Sequence, residues 1–206
     1  MKLYSFTGSC ALAANIVLEW IGEPYTLELL QKDDLGTAEF RRLNPFGKVP
    51  TLDIDGWILY ENAAVLAYLA DKHPDSRLYG DGTLAGRAEV DRWLGVFNSD
   101  MHPAFKPLFG GTAYLDDATA IDKTKANAHK QLRSFFEQVD KQLEGRDWVT
   151  GSRSIVDPYL FVMLVWAGML GVDLDGLGNL ARFEQRMRAD TAVSNALQQQ
   201  GLAHAT

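Results

Sequence analysis

Apolar residues change their spacing along this chain of 206 residues, and the change divides it in two. Up to about Lys72, short units alternate between a period of two and a period near four. Leu3, Tyr4 and Phe6 within Lys2–Phe6 predict a strand, and Thr7-Gly8-Ser9 a turn. Leu12, Ile16 and Trp20 then predict a helix that Gly22 ends, because glycine tolerates the left-handed conformation that closes a helix. Tyr25, Leu27 and Leu29 alternate with Thr26 and Glu28 as in a second strand. Phe40–Leu43 forms a short helical turn closed by Asn44-Pro45, since the residue before proline is driven out of the helical region. Val49–Ile54 and Trp57–Tyr60 flank Asp55-Gly56, a hairpin signal, and a helix runs from Asn62 to Lys72 before His73-Pro74.

This order, β-α-β-α-β-β-α, calls for a mixed sheet covered by helices. Beyond it strand signals cease. His73–Gly86 holds Pro74, Gly80, Gly82 and Gly86 and reads as a linker. Helical periodicity follows over Arg87–Phe109, Thr119–Leu143, Ser154–Leu170, Leu180–Met187 and Val193–Gln200. The expected organisation is an α/β segment at residues 1–79 and an all-helical bundle at residues 86–206.

Composition narrows the class. The chain is 47% hydrophobic, enough for a full core without staples, and carries a net charge of −7. Acidic residues outnumber basic ones both before and after Gly80, so neither segment has the basic surplus that nucleic acid or an acidic membrane surface requires. One cysteine excludes an internal disulfide, and the histidines at 73, 102, 129 and 204 are scattered, so no metal site is expected. No secretory signal is legible at the start, and the uncharged run Pro158–Val172 is shorter than the ~20 residues of a membrane span. A buried core helix and a reducing, cytoplasmic setting are the expectation.

The candidate chemistry sits at two places. Cys10 follows the Thr7-Gly8-Ser9 turn at the start of a helix, where unpaired N–H groups and the helix dipole favour a thiolate; a small inert core cysteine is the competing reading. With no second cysteine nearby, disulfide chemistry at Cys10 needs an external thiol. The stretch Leu43–Leu52 puts Pro50 at the head of a strand, where it either begins an edge strand in trans or takes a cis bond that presents the backbone of Val49 to a peptide-like ligand. Glu61-Asn62 is a favourable helix start, Ser154–Asp157 fits an N-capping box, and Trp166 falls on an apolar helix face that reads as core.

The Cys10 turn, Asn44–Leu52, Tyr60-Glu61-Asn62 with Tyr68–Asp71, Met101–Phe109 and the Ser154–Asp157 box together resemble the glutathione transferases, most closely the bacterial beta class, over nearly the whole chain. The resemblance implies a thioredoxin-like first domain that binds glutathione and a helical second domain, with the electrophile between them. It implies that Val49, before a cis Pro50, pairs its backbone with the cysteinyl unit, and that Glu61 and Asn62 hold the γ-glutamyl end. Asn62 stands where many relatives have serine. Cys10 and, from the first long helix of the second domain, His102 match the beta-class catalytic pair, and Lys32 is the counterpart of a lysine that meets the glycyl carboxylate. Ser9, next to Cys10, is counted with these as glutathione-binding; other classes activate the thiol with a hydroxyl, and Tyr4, Ser5 and Ser9 stand in that neighbourhood. The implied activity is conjugation of the glutathione thiolate to small apolar electrophiles by a cytoplasmic homodimer. Thiol transfer or peroxide reduction through a Cys10 mixed disulfide, and a non-catalytic interaction module, are the alternatives.

Overall fold

The structure, a computed structural model, describes residues 1–202; His204 and the last four residues of the expected helical segment lie outside the described residues. Four short strands, β1 (Lys2–Ser5), β2 (Thr26–Leu29), β3 (Thr51–Ile54) and β4 (Trp57–Tyr60), form one sheet in the order β2-β1-β3-β4. β1 runs parallel to β2 and antiparallel to β3, so the mixed sheet expected from the pattern is present. The β3–β4 hairpin turns on Asp55 and Gly56, both at positive φ.

Helices α1 (Ala11–Ile21), α2 (Ala38–Leu43) and α3 (Asn62–Lys72) complete this half. Helix α1 is buried from Ala11 through Leu18 because it packs against α3 on one side and against later helices on the other. It ends where Gly22, at φ 75°, sends its N–H back to the carbonyl of Leu18. Two 3₁₀ turns, Lys32–Gly36 and Pro74–Ser76, interrupt segments the pattern leaves as loop.

Only helices follow among the described residues: α4 (Leu84–Val96), α5 (His102–Ala104), α6 (Ala118–Gln142), α7 (Val156–Leu170), α8 (Gly178–Ala189) and α9 (Thr191–Gln199). Helix α4 starts three residues before the expected Arg87, because Thr83 caps it by accepting from the N–H of Gly86 at 2.9 Å. The single helix expected over Arg87–Phe109 is also broken. After Val96 comes a π turn at Phe97–Met101, then the short α5, then turns. Pro103 has no N–H to give to an upstream carbonyl and its ring crowds the preceding turn, which a π turn relieves by widening the coil.

Helix α7 is the core helix its uncharged run predicts, buried without interruption from Val156 to Ala167. Its start differs from a reciprocal capping box. Asp157 accepts from the N–H of Ser154 at 2.7 Å, but the Ser154 hydroxyl turns to the same carboxylate at 3.2 Å, and the N–H of Val149 supplies a third bond at 3.0 Å. A carboxylate with no solvent exposure needs those donors more than the helix needs the hydroxyl. The core is continuous: one cluster of buried side chains joins Leu3, Leu12 and Leu66 of the first half to Phe97, Phe136 and Phe161 of the second.

Candidate active site

The first half supplies a ledge around Cys10. Asn44, 2% exposed, organises the loop before β3 with its side chain: the amide nitrogen donates to the Lys48 carbonyl at 2.8 Å and to Thr51 Oγ1 at 3.1 Å, and the amide oxygen accepts from the N–H of Phe46 at 3.0 Å. Gly47 has to be glycine there, since at φ 60° any Cβ would stand 2.5 Å from the Leu35 carbonyl oxygen. The loop delivers Val49 and Pro50, and the bond between them is cis. Val49 turns its carbonyl to Cys10, whose Sγ–H donates to it at 3.5 Å.

Cys10 is neutral in this setting. Burial raises its thiol pKa to about 12, a nearby Glu61 pushes the same way, and only its own backbone N–H and the charge of Lys48 oppose them. The thiolate expected from the helix start is therefore not what this arrangement favours: desolvation outweighs one turn of helix dipole. The two serine hydroxyls beside it are committed. Ser5 and Ser9, both buried, pair their Oγ atoms at 3.2 Å, and Tyr4 packs edge-on against Phe40 with ring centroids 5.9 Å apart.

Across from this ledge stands the second half. The π turn and Pro103 set His102 so that its Nδ1 lies 2.8 Å from the hydroxyl of Tyr159, which donates onward to Asn98 Oδ1 at 3.1 Å. With the tyrosine proton spent on Asn98, Nδ1 of His102 must carry the donated hydrogen, which leaves Nε2 as a lone-pair acceptor. Burial, with the charge of Lys48, lowers the His102 pKa to about 4, so the imidazole is neutral. Its ring meets Trp166 edge to face at 4.8 Å, and the Trp166 indole N–H donates to the Gly8 carbonyl at 2.8 Å, two residues before Cys10. Trp166 is buried as expected of a core residue, yet it also ties α7 to the turn that carries the cysteine. Phe109, half-exposed, closes the aromatic group against Trp166 at 5.1 Å.

Asn62 is the unsatisfied member of this site. It opens α3, is 3% exposed, and neither its amide nitrogen nor its amide oxygen has a hydrogen-bond partner. It lies beside Tyr159, close enough to help lower the phenol pKa that burial and the neighbouring Cys10 raise, without the alignment of a hydrogen bond. Its predecessor Glu61 is held at φ 72°, a conformation costing about 1–3 kcal/mol that a surrounding structure must impose.

Cys10, Val49, Pro50, Glu61, Asn62 and His102 thus gather around Tyr159 and Lys48, with Ser9 turned inward. Lys32 heads the 3₁₀ turn Lys32–Gly36, exposed and without an ion pair or side-chain hydrogen bond among the described residues. Tyr159, Asn98 and Lys48 are the residues that sequence reasoning missed. Tyr159 lies inside a uniformly apolar run whose period conceals it; Lys48 stands one place before Val49 within the segment singled out, and its adjacency was the available signal.

Comparison with known proteins identifies the family. Residues 7–72 match the family described as glutathione S-transferase, N-terminal domain. The chain is 47% identical over 203 residues to the glutathione S-transferase GST-4.5 of Xanthomonas campestris pv. campestris, covering 98% of this chain and all of that one. Its structure is similar to that of a glutathione S-transferase from Xylella fastidiosa, with a TM-score of 0.95, 43% identity and 98% of each chain covered. A sphingomonad glutathione S-transferase in complex with glutathione gives a TM-score of 0.86 at 34% identity, covering 98% of this chain and 100% of that one. A half-buried cysteine at a helix start, a neutral histidine in the same site and likeness along the full length lead to one conclusion: the chain belongs to the glutathione S-transferase family and is a glutathione transferase.

Proposed function

We propose that the protein binds glutathione along the Cys10–Val49–Asn62 ledge and conjugates its thiolate to small apolar electrophiles held against His102 and Phe109. The observation that carries this reading is the Asn62 amide, buried with both polar atoms unpartnered at the first turn of an eleven-residue helix. Leaving such a group unsatisfied costs about 1–3 kcal/mol, and a ligand offering an amine and a carboxylate on one carbon, as the γ-glutamyl end does, would satisfy it at a helix N-terminus that favours the carboxylate. Glu61 would meet the amine, Val49 the cysteinyl backbone, and Lys48 or Lys32 the glycyl carboxylate.

In this reading Cys10 works as a donor. A thiol that stays protonated can turn its S–H from the Val49 carbonyl to the glutathione sulfur and favour the anion there, while the glutathione proton leaves to solvent. The sulfur then forms a bond to the electrophilic carbon, whose departing or accepting group takes the electron pair. A thiol pKa of about 12 favours this role over the alternative in which Cys10 itself attacks a disulfide or peroxide. The reading further places residues 1–79 and 86–206 as two domains with the electrophile between them, the protein in the reducing cytoplasm where such conjugation detoxifies electrophiles, and the active form as a homodimer. Exposed Phe46 and Trp57 give that dimer apolar surface.

Calorimetry with reduced glutathione tests the site: saturation in the millimolar range or below is expected, and Asn62→Ala should weaken it about tenfold while leaving the unliganded protein no less stable. Absence of saturation would overturn the reading. Cys10→Ala separates the chemistries, since conjugation of a chloronitrobenzene should persist at reduced rate, whereas a mixed-disulfide mechanism would lose all thiol transfer.

A further inference from the structure

A cavity of about 660 Å³ opens on the helical half, away from Cys10, where the loop between α6 and α7 faces α8. Three arginines line it: Arg146 and Arg153 from the loop and Arg182 from α8. None of the three takes part in an ion pair among the described residues. The one carboxylate in the lining, Asp147, is already engaged by Arg186, which holds it by its side chain and by its carbonyl at 2.9 Å. Glu89 feels the charge of Arg146, but its carboxylate is taken by Arg92.

Two of the guanidiniums are positioned before any ligand arrives. Arg153 lies over the ring of Trp20 at 4.8 Å, and Arg182 is tied to the Gly178 carbonyl at 3.2 Å and to the side chain of Asn179. Trp148, part of the lining, is fixed edge to face between Trp20 and Phe183, at 6.3 and 6.5 Å. In a chain of net charge −7, three uncompensated guanidiniums around one concavity form a local field opposite to that of the molecule. Guanidinium forks match the oxygens of phosphoryl groups, and three of them supply more donors than a single carboxylate can accept.

We propose that this cavity is a second binding site, independent of glutathione, for a compact polyanion bearing phosphoryl groups. The chemistry is common to inorganic pyrophosphate and to a nucleoside diphosphate, which could add its base to the Trp148 ring. Calorimetry of the full chain with inorganic pyrophosphate, in saturating reduced glutathione so that the other site is filled, should show one-to-one saturation with Kd below ~1 mM that weakens as salt is raised. The variant Arg146→Gln/Arg153→Gln/Arg182→Gln should bind at least ~10-fold more weakly, with an unchanged melting temperature and unchanged conjugation activity. Adenosine diphosphate in parallel identifies the source: tighter binding than pyrophosphate points to the nucleotide, equal binding to the bare phosphoryl anion. No saturation by either anion, or equal affinity in the triple variant, overturns the proposal.

Discussion

At the scale of single residues, two titratable groups of the site are held in unusual states, and each makes a prediction. With its thiol raised to about 12, unliganded Cys10 should react with iodoacetamide near neutral pH at least a hundredfold more slowly than the same cysteine in the denatured chain, because only the thiolate is the nucleophile. Mass spectrometry against time checks this; equal rates would show that Cys10 ionises without ligand. His102 has the opposite sign of shift for a base. Its folded value, about 4, lies below its ordinary 6.5, so in that interval the unfolded chain binds the extra proton. The stability it contributes is complete above 6.5 and is lost as pH falls toward about 4. Asp157, raised by burial to about 7, slopes the other way, so a difference measurement is required. The melting temperature of the wild type should therefore fall more steeply than that of His102→Asn on acidification, and parallel curves would contradict a buried neutral imidazole.

At the scale of elements, the site depends on how two helices begin and break. Helix α7 carries both Tyr159 and Trp166, and its start hangs on the three hydrogen bonds that Asp157 accepts. Asp157→Ala strands the N–H groups of Val149 and Ser154 in the core, and we expect a loss of about 2–4 kcal/mol in urea denaturation. Activity of the fraction still folded should fall less than stability does, because no atom of Asp157 reaches the thiol site. The break in the other helix, at Phe97–Met101, turns His102 toward Tyr159 instead of continuing the α4 spiral. Proline 103 announces a break in the sequence; the direction in which the chain leaves it depends on the packing of Phe97 and Met101, both fully buried.

At the scale of the whole molecule, the exposed Phe46 and Trp57, at 60% and 53%, are apolar side chains open to the proposed homodimer contact. Sedimentation should give twice the chain mass of 22.9 kDa, and Phe46→Glu should shift the population toward monomer; a wild-type monomer at micromolar concentration would refute the dimer. The order of strands and helices, the Asp55-Gly56 hairpin, α3 to the residue and the buried run of α7 were all legible in the sequence, because period, turn chemistry and capping act over a few neighbouring residues. So was Cys10 at a helix start, together with the segment that delivers Val49. What the sequence could not determine is the state of those groups. That Cys10 is protonated, that Asn62 is buried with both polar atoms unpaired, and that Tyr159 joins His102 to Asn98 and lies beside Asn62 follow from bringing residues 10, 62, 102 and 159 together. Desolvation and hydrogen-bond partnership are properties of what surrounds a group in space, and the packing of α1 against α3 and α7 supplies those surroundings.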